Sequence, residues 1–288
     1  MMRRRTVMSA AAGFVLGSAV LAVWAWRPER EAGPCVIAAG PTALPEIEES
    51  SGLAVSRRHP GIVWTHNDSG SAAVLFALDT TGRVRGRVRV PIRTRDWEDI
   101  SAAPCPSGGC LYIGDIGDNR AARSRIQIYR VPEPALTDAE TAVPEVFNVT
   151  YADGPHNAEA MFVAGDQLVV VTRDRTGGVY RAPLPAAGGG DLVLRRIGRL
   201  GLGAVTDAET FGNGASVVVR TSHEAVLYRT AALVLGDVRP YFRIDIDGLR
   251  EPQGEGIAID GSMIYLSSEG RSWNRGGWFV SLRCQLPE

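Results

Sequence analysis

Short β-branched and aromatic runs, the turn residues between them and one motif repeated five times predict an all-β chain folded as a five-bladed β-propeller. The repeats open at Ser51-Gly-Leu-Ala-Val-Ser, Glu98-Asp-Ile-Ser, Glu159-Ala-Met-Phe-Val, Glu209-Thr-Phe-Gly and Glu255-Gly-Ile-Ala-Ile-Asp. Their first residues stand 47, 61, 50 and 46 positions apart. The 61-residue unit leaves six blades as the alternative, although no sixth copy of the motif is found.

The first element lies before the repeats. Met1-Met2-Arg3-Arg4-Arg5 is a basic flank, and Met8 to Trp26 then runs 19 residues without a charge. As a helix this run reaches roughly 28 Å, close to the hydrocarbon thickness of a bilayer. Residues 1–30 are therefore expected to be a signal sequence or a membrane anchor. The basic flank stays in the cytoplasm, so residues 31–288 form an exported propeller ectodomain. Val23-Trp24-Ala25 offers a small-x-small cleavage site, which leaves both a cleaved signal and an uncleaved anchor open.

Each repeat start is followed by a second apolar run: Ile62–Thr65, Leu111–Gly114, Leu168–Thr172, Ser216–Arg220 and Met263–Ser267. Third runs follow at Leu75–Leu78, Ile126–Val131, Gly178–Ala182, Ala225–Arg229 and Gly277–Leu282. Fourth runs appear in four units, at Arg83–Val90, Val146–Tyr151, Leu192–Leu200 and Tyr241–Ile246. The fifth unit lacks one, while Cys35–Ala39 is a strand-like run with no unit of its own. Joining the two closes the ring and leaves no bare edge between the first and last blades.

The cysteines support that closure. Four of them, Cys35, Cys105, Cys110 and Cys284, follow the apolar run, and an even count in an oxidising compartment reads as two disulfides. Cys105 and Cys110 form a local staple across a turn, leaving Cys35 to pair with Cys284.

Composition excludes several functions. A formal net charge of −1 argues against nucleic acid as a partner. Every basic residue other than the four histidines is arginine, so Schiff-base and P-loop lysines are excluded. No G-x-S-x-G, H-E-x-x-H or P-loop pattern is present.

The chemistry gathers at the repeat starts. In a propeller the innermost strand of each blade lines the central channel, so Ser51, Glu98, Glu159, Glu209 and Glu255 are expected at its mouth. Above them would sit the loops His66–Gly70, Asp115–Asn119, Arg173–Asp174, Ser222–Glu224 and Ser268–Gly270. Two carboxylates about 5 Å apart repel by roughly 3 kcal/mol at an effective dielectric near 20. Four ionised glutamates would cost on the order of 15–20 kcal/mol, comparable with a domain's whole stability. The ring must take up protons or a cation, and oxygen-only ligands favour calcium. The plainer reading is a set of scattered glutamates bonded to backbone N–H groups or arginines.

The ring resembles that of the soluble calcium-activated nucleotidases (apyrases), five-bladed propellers whose central calcium is held by Ser and Glu side chains. Glu49-Ser50-Ser51-Gly52-Leu53 resembles the opening of the SdiA-regulated bacterial propellers and of phytase-like propellers. Trp97-Glu98-Asp99-Ile100, with Tyr112-Ile-Gly-Asp115-Ile-Gly-Asp118-Asn119, is similar to a set of exported bacterial propellers. These likenesses imply the fold and a calcium ion rather than a reaction.

Two functions follow as expectations. One is a binding or scaffold module for an unidentified ligand or envelope partner, with calcium as a structural pin. The other is a calcium-dependent hydrolase of a phosphate ester or other ester. For the second, His66, Asp115 and His156 are the acid–base candidates and Arg120, Arg123, Arg173 and Arg271 the candidates for binding substrate.

Overall fold

The computed structural model describes residues 34–68, 70, 72–270 and 276–287. The predicted helix at Met8–Trp26 lies outside the described residues. No helix among the described residues is long and apolar enough to cross a membrane.

Among the described residues, twenty strands carry the fold. After β1 (Cys35–Leu44) the first meander comprises β2 (Ala54–Val55), β3 (Ile62–His66), β4 (Val74–Asp79) and β5 (Val84–Arg89). The second comprises β6 (Asp99–Cys105), β7 (Gly108–Asp115), β8 (Ile126–Pro132) and β9 (Glu145–Tyr151). The third is β10 (Ala158–Ala164), β11 (Gln167–Thr172), β12 (Gly178–Pro183) and β13 (Gly190–Arg199). The fourth holds β14 (Val205–Phe211), β15 (Ser216–Thr221), β16 (Glu224–Arg229), the single helical turn α1 (Thr230–Leu233) and β17 (Phe242–Asp245). The last has β18 (Gly254–Asp260), β19 (Met263–Ser268) and β20 (Gly277–Cys284).

The last meander takes its fourth strand from the start of the described chain. β1 pairs antiparallel with β20 from Cys35 opposite Cys284 to Leu44 opposite Gly277. The Cys35–Cys284 disulfide, 249 residues apart in sequence, fastens the far end of this pair. The predicted Cys105–Cys110 staple is also formed, across the β6–β7 turn.

One departure from five separate sheets is clear. The second and third meanders merge into one eight-stranded sheet through parallel pairing of β13 with β9, from Gly190 opposite Phe147 to Leu194 opposite Tyr151. The run Gly188-Gly189-Gly190 allows the approach, because a Cβ at Gly189 would collide with the Val146 carbonyl. The other three sheets have four strands each.

Central strands read as unbroken apolar runs because both their faces are covered; β11 and β15 are buried at nearly every position. Five apolar clusters fill the spaces between consecutive meanders. Trp64 and Val88 of the first meet Ile113 and Tyr129 of the second. Phe76 and Leu78 of the first meet Tyr265 and Phe279 of the last. The turn Asp79–Gly82 lies on Phe279 so closely that a Cβ at Gly82, where φ is +83°, would stand 2.9 Å from that ring. The innermost strands touch in the closed sequence β2, β6, β10, β14, β18 and back to β2. The result is an all-β, propeller-like ring around a narrow channel.

Candidate functional site

Strand register decides which side chains share a level of this channel. Ala158 pairs with Thr172, Val205 with Thr221 and Gly254 with Ser268, each opposite the end of its neighbouring strand. The next residues, Glu159, Thr206 and Glu255, are therefore equivalent. Thr206 Oγ1 donates to the Glu255 carbonyl (2.9 Å), and Ser51 Oγ donates to the Glu98 carbonyl in the same manner. The mouth ring is thus Ser51, Glu98, Glu159, Thr206 and Glu255. Glu209 does not belong to it; it lies three residues deeper, and the ring has three glutamates and two hydroxyls. The irregularity between Val205 and Asp207 hides this offset, since Glu209-Thr-Phe resembles the other repeat starts.

The mouth is strongly acidic. Carboxylate oxygens of Asp68, Asp96 and Glu98 all lie within 4.8 Å of one another. Asp68 follows β3, in the loop expected above the ring, while Asp96 comes from the turn before β6. Asp115 fixes that turn, its two oxygens accepting the Arg95 and Asp96 N–H groups at 2.9 Å each. Arg123 is ion-paired with Asp115 at 2.9 Å and donates to the Gly117 carbonyl at 2.7 Å. A Cβ at Gly117 would stand 2.3 Å from Glu98 Oε1 and 2.5 Å from the Asp96 carboxyl, so the glycine lets both carboxylates lie close over this turn.

Burial is the main force on these charges. It pushes Glu98 up to about 9, with Asp68, Asp96 and Glu255 adding to the rise and Arg173 opposing it. Glu269 is pushed up to about 8 by burial, Glu255, Asp68 and Glu49. Asp96 is raised by burial against the pull of Arg123. Burial also raises Glu255, which accepts Gln253 Nε2 at 2.9 Å.

Arg173 answers part of the charge: it is ion-paired with Glu159 and stands 4.0 Å from Glu255. Glu159 is thereby committed to a guanidinium, as the plainer reading had it. The predicted set of five metal ligands does not converge as a unit. Glu98 gathers with Asp68 and Asp96, Ser51 braces the Glu98 backbone, and Glu255 lies beside Arg173.

The acid–base candidates are also committed. His66 is fully buried, stacked on Trp97 at 4.3 Å, and its Nδ1 donates to the Asn67 carbonyl at 3.0 Å. Burial lowers its pKa to about 3, so the ring is neutral. Asp115 and Arg123 build the turn that carries Asp96, and both are buried. His156 is held by Asp153 at 3.0 Å and Tyr180 at 2.8 Å, outside the acidic group. Arg120 is exposed, and Arg271 lies outside the described residues. Repeat-based reasoning missed Asp68 and Asp96 as the carboxylates that gather with Glu98; the acidic loop His66–Gly70 was the available signal.

Directly beneath the ring the level is Gly52, Asp99, Ala160, Asp207 and Gly256. Asp99 Oδ2 accepts the Met161 N–H at 2.5 Å, and Asp207 Oδ2 accepts the N–H groups of Leu53 (3.1 Å) and Ile257 (2.5 Å). These bonds tie innermost strands to one another across the channel, and the small neighbours leave room for both aspartates. Burial raises both groups, Asp99 well above the carboxylate range.

No protein-family model matches the chain, and no curated protein matches it in sequence. Among solved structures it is similar to the major Malassezia sympodialis allergen Mala s 1, with a TM-score of 0.54, 10% identity, 86% of this chain and 96% of that one covered. It also matches the WD40 β-propeller domain of Doa1, with a TM-score of 0.37 and 11% identity over 79% of this chain and 64% of that one. At such identities the likeness to the allergen speaks to fold alone. Fold and site together define an all-β, propeller-like protein with an acidic channel mouth.

Proposed function

We propose that this chain is an exported five-bladed β-propeller that binds a divalent cation at its channel mouth and serves as a binding or scaffold module of the cell envelope. Asp68, Asp96 and Glu98 are its carboxylate ligands, and calcium is the ion that oxygen-only coordination favours. The mutual approach of these three groups within 4.8 Å carries the reading. Without a cation, Glu98 must keep a proton far above the usual carboxylate range. The two disulfides and the apolar run Met8–Trp26 support an exported protein, anchored by that run or released by its cleavage.

A scaffold role is favoured over ester hydrolysis because His66, Asp115 and Arg123 are buried in structural bonds. Melting the purified protein with chelator and with excess calcium tests the ion. At free calcium a hundredfold above the dissociation constant the folded state gains about 2.7 kcal/mol, or roughly 5–10 °C for a domain of this size. A melt indifferent to calcium contradicts the site. Calcium-dependent turnover of phosphate or carboxylate esters would favour the hydrolase instead.

A further inference from the structure

On the mouth side of the ring, the second meander carries a surface of the opposite charge. Two loops build it: residues 91–96, which lead into β6, and residues 116–125, which join β7 to β8. Buried bonds lock the loops together. Asp115, at the end of β7, accepts the N–H groups of Arg95 and Asp96 and pairs with Arg123. The Gly117 N–H donates to the Asp96 carbonyl at 3.1 Å, and the Asp118 N–H donates to Asn157 Oδ1 at 2.7 Å. The Tyr129 hydroxyl of β8 lies 3.5 Å from the Arg93 carbonyl and 2.9 Å from Gln127 Oε1. The first loop is thereby held against the start of β8, where Arg125 stands.

Arg93, Arg95, Arg120 and Arg125 are all exposed on this platform. None lies within ion-pairing distance of a carboxylate among the described residues; Arg95 only pulls on Asp96 from further off. Elsewhere on the surface Arg85, Arg87 and Arg243 are answered by Asp79, Glu46 and Glu224. The acids of the two loops have other tasks: Asp118 is buried and accepts the Arg123 N–H at 2.7 Å, and Asp96 joins the mouth group. The positive charge of the platform is therefore uncancelled, and its planar forks match phosphate or carboxylate groups.

Two observations narrow the partner. The exposed large hydrophobics among the described residues are Val36, Ile37, Val143, Val146, Val193 and Leu235, and none lies on these loops. A folded protein partner would need apolar or aromatic anchors, whereas a polar polymer does not. The lipid bilayer is disfavoured by strand direction. β20 starts at Gly277 on the mouth side, opposite Leu44, and ends at Cys284, opposite Cys35. The chain leading from the apolar run thus joins the ring on the side away from the platform.

We propose that this platform binds an anionic envelope polymer of sugar or polyol units, whose phosphate or carboxylate groups are held by Arg93, Arg95, Arg120 and Arg125. The proposal rests on the reading of the chain as an exported binding module, and it needs no ion at the mouth.

Fluorescently labelled poly(glycerol phosphate) and polygalacturonate, titrated with the purified full chain in chelator, test it beside neutral dextran and single-stranded DNA. The first polymer supplies phosphate and the second carboxylate, so the tighter of the two identifies the group. Saturable binding to at least one of them is expected, weakening as salt rises, with none to dextran. Arg93→Gln/Arg95→Gln should bind at least about tenfold more weakly. Arg83→Gln/Arg283→Gln removes the same charge from exposed positions at the opposite end of the strands and should bind like the parent protein. Equal weakening in the two double variants, or no binding to either polymer, overturns the platform. Single-stranded DNA bound as tightly as the better polymer overturns the partner class. Because chelator is present throughout, these outcomes are independent of the mouth ion, which the calcium melts decide separately.

Discussion

Removing the Cys35–Cys284 bridge lowers the stability of the folded protein by about 5 kcal/mol, equivalent to roughly 10–20 °C in melting temperature. The bond closes a loop with a sequence separation of 249, so in the chain-entropy account it removes more freedom from the unfolded chain than a short staple can. It also fastens a strand with little other support. β1 pairs with β20 alone, and its middle residues are largely exposed; Val36 and Ile37 are 55% and 42% accessible. Leu44 and Ile47, just beyond, pack into the cluster between the last meander and the first. Freed at Cys35, the strand frays toward that seam. Cys105–Cys110 spans a sequence separation of 5 and constrains much less. Melts of Cys35→Ser/Cys284→Ser and Cys105→Ser/Cys110→Ser should therefore differ widely, the first being lower. Equal melts would mean that β1 does not close the ring.

Arg220→Met should cost about 3–5 kcal/mol, because it leaves a buried carboxylate without its counter-charge. Arg220 is completely buried on β15, ion-paired with Glu251, and donates to the carbonyls of Gly256 (2.5 Å) and Ser267 (3.0 Å). It thus joins the fourth meander to the last. A Cβ at Gly254 would collide with the guanidinium, which accounts for glycine at the start of β18. Arg220→Lys should recover little, since an ammonium cannot reproduce a planar fork reaching three acceptors. Arg220→Met/Glu251→Leu should melt above Arg220→Met, because the stranded charge is gone. A single variant that melts like the parent protein would show that the pair contributes nothing.

Much of the ring was legible in the sequence. The repeat spacing, the strand-like run at Cys35 and the cysteine pairing each anticipated the meanders and their closure, since strands and turns announce themselves locally. Long-range register was not legible. A single irregularity between Val205 and Asp207 moved Glu209 out of the mouth ring and put Thr206 in its place. Thr206 could have been found by analogy with Ser51, the other hydroxyl among the repeat starts. Asp96 lies outside the repeat altogether, and only the three-dimensional path of its turn carries it to Glu98. Arg220 reads as the polar end of the strand Ser216–Thr221, yet the neighbouring meander covers it entirely.

The most direct test of the cation site is a calorimetric calcium titration of the parent protein and of Glu98→Gln at several pH values between 6 and 9. In the ion-free protein Glu98 keeps its proton to about pH 9, whereas in the unfolded chain it releases it near the ordinary value of 4.5. Between those values the folded state binds more protons than the unfolded one, so ion-free stability falls as pH rises. Calcium displaces the proton, and its affinity should therefore rise with pH, by up to about tenfold per unit for each proton released. The account predicts saturable binding that tightens from pH 6 to 9 in the parent protein, with mouth-site affinity in Glu98→Gln at least about tenfold weaker. Calcium binding of equal strength in the two proteins, or none in either, would contradict it.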